Sequence, residues 1–338
     1  MAGLTTWIVL TFSAGMLLPL GLRAPRPASG GNLLLVVNKG DQTLSVVDPR
    51  AAKELGTVKL SGFTGHEVAA SPDGRLAYVP IYGNSGVGAP GTNGDTIDVI
   101  DLAARKRIAE IKLPHPVRPH CAIFAPDGML YVTAELSDAI DVIDPHTRRV
   151  VGSIPTRQKE SHMLAITSDG KRGYTANVGA GSVTALDLVD RRALAVIPVA
   201  KTVQRISISP DNSMAFTSDQ SQPRVAVIDT ATNRVKSWIA LPGIGFGTRS
   251  TLDGRWLLVT VPHQNLIAVV DLQSLHVEHT IPVPPEPQEI LMRPDGKVAY
   301  VSCDKRRQVA VLDLDRWKVA GLIAVGRNDD GLAWAAHE

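Results

Sequence analysis

Cysteine is scarce in this sequence, with 2 among 338 residues, so neither a disulfide-stapled scaffold nor a CxxC metal knuckle is available. Charge of one sign is not in excess either. Lys and Arg number 35 against 33 Asp and Glu, and Arg23 and Arg26 are the only charged side chains in the first 30 residues, leaving 33 of each sign beyond them. A neutral body gives no electrostatic reason to bind nucleic acid or an anionic membrane, so nucleic acid is not an expected partner. No GxSxG elbow, HExxH pair or EF-hand loop occurs, which leaves serine hydrolase, zincin and calcium-sensor chemistry without a motif. Helical periodicity of 3.6 is missing between the apolar runs, and alternating βα folds are excluded with it. What remains is 44% apolar and 20% charged, the balance of a folded globular chain.

One long apolar run exists, residues 4–22, and it is closed by Arg23, Pro25, Arg26 and Pro27 before small residues Ala28-Ser29-Gly30. This predicts an export signal with a mature start near Gly31. A retained anchor is the alternative, and membrane contact is expected only through 4–22 in that case. Either way the body is expected outside the cytoplasm, periplasmic or extracellular.

The body repeats. An alternation of apolar residues closing on Asp recurs at Asp48, Asp101, Asp144, Asp187, Asp229, Asp271 and Asp313, in steps of 53, 43, 43, 42, 42 and 42 residues. Turn signals at matching phase (SPDG from Ser71, APDG from Ala125, TSDG from Thr167, RPDG from Arg293) precede short β-rich runs such as LAYVP, MLYVTA and VAYVSC. Asp-Gly enforces a tight turn because Gly takes positive φ without steric cost. Four short strands per unit of about 42 residues predict propeller blades. The segment from residue 33 to residue 60 supplies three strands of a unit, and aligning DGLAWAA at Asp330 with HEVAASP at His66 makes the C-terminus provide the fourth. The fold class is therefore all-β, a seven-bladed propeller of four-stranded antiparallel blades over 31–338, closed by residues 331–336 pairing with Leu33–Asn38.

With YVTA at Tyr131–Ala134 as the nearest form of the tetrapeptide, the chain resembles the YVTN family of β-propeller repeat proteins over about nine tenths of its length. The resemblance implies the fold. For function it implies several roles: exported binding proteins, surface-layer components, lactone-cleaving enzymes and subunits of redox enzymes.

Strand direction puts the PDG turns and the turns after VxVID on one face, and the loops leading into the inner strands on the other. Seven residues before each turn Asp, one position per blade recurs at the hub: His66, His120, His162, Gln204, Phe246, Gln288 and Asp330. Three adjacent blades thus present His to one rim. Three imidazoles suit one Zn, Cu or Fe ion with an open position. They equally suit direct ligand contacts, or hydrogen bonds to loop carbonyls that fill the channel mouth. Gln204, Arg205, Gln288 and Asp330 complete the expected ligand-binding set. Glu135 and His115, in the chain nearest the His blades, are the expected candidates for a carboxylate that orients a histidine or for a general base, either one moving the proton if the site is catalytic. Tyr82–Asp95, the insertion that makes the first step 53, lies on the same face, as a surface loop or a lid. Cys121 is expected to be buried between blades, since neighbouring strand residues face opposite ways.

Two functions follow as expectations. The first is a binding propeller for a small molecule or an extracytoplasmic protein. The second is a metal-dependent lyase or oxidase on His66, His120 and His162, with lactone hydrolysis resting on the resemblance alone.

Overall fold

The structure, a computed structural model, describes residues 1–3, 31–84 and 86–336. The expected export signal or anchor lies, from residue 4 to residue 30, outside the described residues. Seven four-stranded antiparallel sheets follow one another around an axis. Within each, the order from hub to rim is the order of the chain, except in the first blade. There Asp329–Ala335 is innermost, followed by Leu33–Asn38, Thr43–Asp48 and Lys53–Lys59.

This closure joins the ends of the chain in antiparallel register, Leu33 opposite Ala335 and Asn38 opposite Asp329. It starts two residues before the expected Gly331. Leu34, Val36 and Val47 of the first blade then pack with Tyr300, Val309 and Ile323 of the seventh and with Leu332 of the closing strand, all buried. A sheet ring sealed this way leaves no central edge for a foreign strand.

The strand sequences explain the layering. Second and third strands are buried on both faces because each blade is sandwiched by its neighbours, so VAVID-type runs of small β-branched residues fill them. Outermost strands alternate exposed and covered residues, as in Lys53–Lys59 and Arg149–Pro155. Each PDG turn closes on a glycine at positive φ, for example 72° at Gly296, while the turn Asp accepts the backbone N–H two residues on, Asp73 Oδ1 from Arg75 at 3.1 Å. After each VxVID strand a single residue takes the left-handed conformation at matching phase: Ala52, Arg105, Arg148, Arg191, Asn233, Leu275 and Trp317. Among the described residues helix is limited to the 3-10 turns Glu135–Ser137 and Pro262–Gln264, and no helix is long and apolar enough to cross a membrane.

Candidate functional site

The hub row forms as its phase requires. The His66 and His120 rings lie 4.9 Å apart between centroids, and His120 and His162 lie 3.6 Å apart with planes tilted by 37°. His120 and His162 are each 2% exposed, so these rings meet inside the channel mouth rather than in solvent.

Carboxylates flank both ends of the row. Asp330 Oδ2 lies 3.2 Å from His66 Nδ1 and 3.1 Å from Lys39 Nζ, and Asp330 Oδ1 accepts from Arg205 Nη2 at 2.8 Å. At the other end Glu135 Oε1 is in short contact with His162 Nδ1, and Glu135 Oε2 accepts the Tyr82 hydroxyl at 2.6 Å. An ionised carboxylate only accepts, so each of these Nδ1 atoms carries the proton, and Nε2 of His66 and His162 is left as a lone-pair donor. His162 Nε2 is met by the Gln204 amide nitrogen at 3.3 Å. His120 Nδ1 is buried and has no hydrogen-bond partner among the described residues.

Electrostatics favour the neutral form of His66 and His120. Burial lowers the pKa of His66, against the pull of Asp330, and burial together with the two neighbouring imidazoles pushes His120 well below the usual histidine range. Burial also works against ionisation of Asp330. Lys39, His66 and Arg205 outweigh it and hold that carboxyl well below the usual range.

Immediately inside the row lies an ion cluster. Arg205, buried, points Nη2 at Asp330 and at Glu67 Oε1 (2.9 Å) and Nη1 at Glu289 Oε2 (3.8 Å), with its guanidinium 5.2 Å from the Phe246 ring centre. The Glu67 contact is close in charge but lies outside hydrogen-bonding geometry, since Oε1 has no hydrogen-bond partner among the described residues. Burial raises the carboxyls of Glu67 and Glu289, with Arg205 only partly opposing it. This cluster caps an axial cavity of about 290 Å³ whose deeper walls are Ile123, Ile166, Ile208 and Ile290.

The expected residues divide accordingly. His66, His120, His162, Gln204 and Asp330 come together at one mouth, with Glu135 behind His162. Arg205 is there too, but held by carboxylates. Gln288 sits half-buried on the row and donates to the Glu286 carbonyl at 3.3 Å. His115 is exposed, its Nε2 3.1 Å from Ser137 Oγ. It follows an outer strand, Lys106–Lys112, so closeness to His120 in the chain leaves it at the periphery. Cys121 is buried against the next blade, Sγ 3.7 Å from the Leu164 carbonyl, and also lines the axial cavity. Both cysteines are free. The Tyr82–Asp95 insertion is tied to the site by Arg118, which donates to the Ala89 carbonyl at 2.8 Å and to Asn93 Oδ1 at 2.7 Å.

Sequence reasoning missed Tyr82, Lys39, Glu67 and Glu289. Glu67, Arg205 and Glu289 share the phase one residue after the row, where Cys121, Met163, Gly247 and Gly331 stand in the other blades. A charged residue at that phase was the available signal.

Residues 214–338 match the family of YNCE-like beta-propellers. The uncharacterized protein YncE of Salmonella typhi is 27% identical over 220 residues, 63% of this chain and 61% of that one. YncE of Escherichia coli (strain K12) is 27% identical over 213 residues, 61% and 59%. The chain thus spans about three fifths of the length of these curated relatives. Among solved structures, a Kuenenia stuttgartiensis hydrazine synthase chain superposes with TM-score 0.73 at 21% identity, covering 88% of this chain and 99% of that one. The dihydro-heme d1 dehydrogenase NirN in complex with DHE gives 0.66 at 17%, covering 93% and 78%. A functionally unknown protein from Desulfotomaculum acetoxidans DSM 771 gives 0.75 at 13%, covering 91% and 100%. At these identities the structural likeness speaks for the fold. Seven repeats and ring closure agree with the match over residues 214–338: the chain is a seven-bladed β-propeller repeat protein, and its C-terminal part is similar to the YNCE-like propellers.

Proposed function

We propose that this chain is an exported binding propeller whose hub row takes an occupant that accepts electron pairs from imidazole nitrogen, a single Zn, Cu or Fe ion matching the donors best. The observation that supports this is the pairing of Nδ1 of His66 and His162 with the Asp330 and Glu135 carboxylates. Carboxylate–imidazole pairs of this type fix the tautomer and turn Nε2 into a ligand. Depressed basicity keeps His66 and His120 neutral as coordination requires. In the ring orientations present, no three His, Cys, Asp or Glu groups among the described residues converge on one point. Uptake therefore asks the His120 ring to turn, and its unpartnered Nδ1 offers no hydrogen bond to resist. Bound metal at this mouth would supply Lewis acidity, while Tyr82 and Glu135 hold the proton on His162 Nδ1.

The test is metal analysis and calorimetry with zinc chloride on protein carrying no His-rich tag. The expected result is close to one ion per chain, lost in His66→Ala, His120→Ala or His162→Ala with the thermal transition retained. Protein that takes up no ion from a tenfold excess would overturn the metal reading. It would leave a hydrogen-bonded small molecule, donating to the same Nε2 atoms, as the occupant.

A further inference from the structure

On the face opposite the hub row, where the PDG and VxVID turns lie, the first and seventh blades border a cavity of about 560 Å³. Its walls include Tyr300 and Trp334, whose rings stack at 21° with centroids 6.1 Å apart. Tyr300 is wholly buried, and among the described residues neither its hydroxyl nor the buried indole Nε1 of Trp334 has a hydrogen-bond partner.

The missing acceptor has a definite origin. In the third blade the equivalent tyrosine, Tyr131, gives its proton to the turn carboxylate Asp127 at 2.9 Å. In the fourth, Tyr174 lies 2.9 Å from Oδ1 of Asn233, the left-handed residue in the turn of the next blade. Both routes are closed to Tyr300. Its turn carboxylate, Asp295, is held by Arg293 through two contacts of 2.9 Å from Nε and one of 2.7 Å from Nη2. The residue matching Asn233 in the next blade is Ala52, with the same left-handed φ of 50° and no side-chain acceptor. Arg293 also lies beside the Tyr300 hydroxyl, but guanidinium only donates and cannot take the phenol proton.

The cavity thus carries donors from Tyr300, Trp334, Arg293 and the exposed Arg50, and among the described residues its one carboxylate, Asp295, is already engaged. Pro49 and Pro294 add flat apolar walls beside the stacked rings. Buried donors without acceptors are costly unless a ligand satisfies them. We infer that this cavity is a second binding site, independent of the hub row, for a small organic anion: a carboxylate on a planar apolar body.

Benzoate is the probe, followed through the Trp334 indole N–H signal in protein labelled with 15N-tryptophan, the signal assigned with Trp334→Phe. The expected result is a saturable shift, with affinity reduced about tenfold in Tyr300→Phe, the loss of one hydrogen bond to a charged ligand. Arg50→Ala, on the exposed rim where folding is not at issue, is expected to weaken binding as well. Ala52→Asn restores the acceptor that Tyr174 has, and is expected to raise the melting temperature and abolish benzoate binding. Inorganic phosphate is expected to bind more weakly than benzoate. A non-saturating shift, benzoate affinity unchanged in Tyr300→Phe and Ala52→Asn, or phosphate binding as tightly as benzoate would each overturn the inference.

Discussion

Replacing Arg205 by Met removes the one cation shared by Glu67, Glu289 and Asp330 while keeping most of the side-chain volume. Asp330 retains Lys39 at 3.1 Å and His66 at 3.2 Å, so the loss falls on Glu67 and Glu289. Breaking a buried ion pair from one side costs about 3–5 kcal/mol when the remaining charge stays buried and ionised. Those two carboxyls, already raised by burial, escape part of that cost by binding protons. A carboxyl whose folded pKa lies above its unfolded value loses stability as pH rises, because the folded state then holds a proton that the unfolded state has released. The Arg205→Met penalty is therefore expected to be small near pH 5, about 1 kcal/mol, and to approach the full 3–5 kcal/mol by pH 8.5. Urea unfolding of both proteins at the two pH values measures it. Equal penalties at pH 5 and pH 8.5, or a cost below about 1 kcal/mol at pH 8.5, would refute the assignment of Arg205 as the counter-charge shared by Glu67 and Glu289.

Removing Asp330–Glu338 takes away the closing strand that covers Leu34 and Val36, and is expected to abolish the cooperative thermal transition, whereas removing residues 1–30 is expected to leave it in place; calorimetry compares the two. Asp329, buried beside the Cys303 backbone N–H at 2.6 Å, has its pKa pushed up by that burial to about 7. Its ionisation therefore destabilises the fold progressively between about pH 4 and 7. Asp329→Asn, which still accepts from Cys303, is expected to be more stable than the parent at pH 8 by a few kcal/mol and equal to it at pH 4, as read by denaturant titration. Glu135→Gln deprives His162 Nδ1 of its carboxylate and is expected to weaken metal uptake about 10- to 100-fold without shifting the melting temperature by more than a few degrees, checked by zinc calorimetry.

The propeller was written into the sequence because its signals are local. VxVID alternation, Asp-Gly turns and a step of about 42 residues each act within a few residues, and repetition converts them into a ring. Closure by DGLAWAA and the convergence of His66, His120 and His162 followed from the same repetition, since equal phase in a blade means equal distance from the axis. Only the tertiary structure decided what stands beside the row. The inner strands break register at the row, between Pro119 and Ala122, Ser161 and Met163, and Pro287 and Ile290, so strict two-residue alternation fails there. That is why Cys121, which meets the next blade as alternation expects, also reaches the axial cavity together with Glu289 and Arg205. Lys39 meets Asp330 across the closure that joins the two ends of the chain in the first blade, and Glu135 meets His162 and Tyr82 across neighbouring blades, proximities that no local pattern encodes. His115 shows the converse, a residue near the site in the chain that the radial course of its loop leaves at the rim. Local hydrogen bonding and apolar periodicity fixed the ring and its phases; the charge pairs across it arose only when the ring closed.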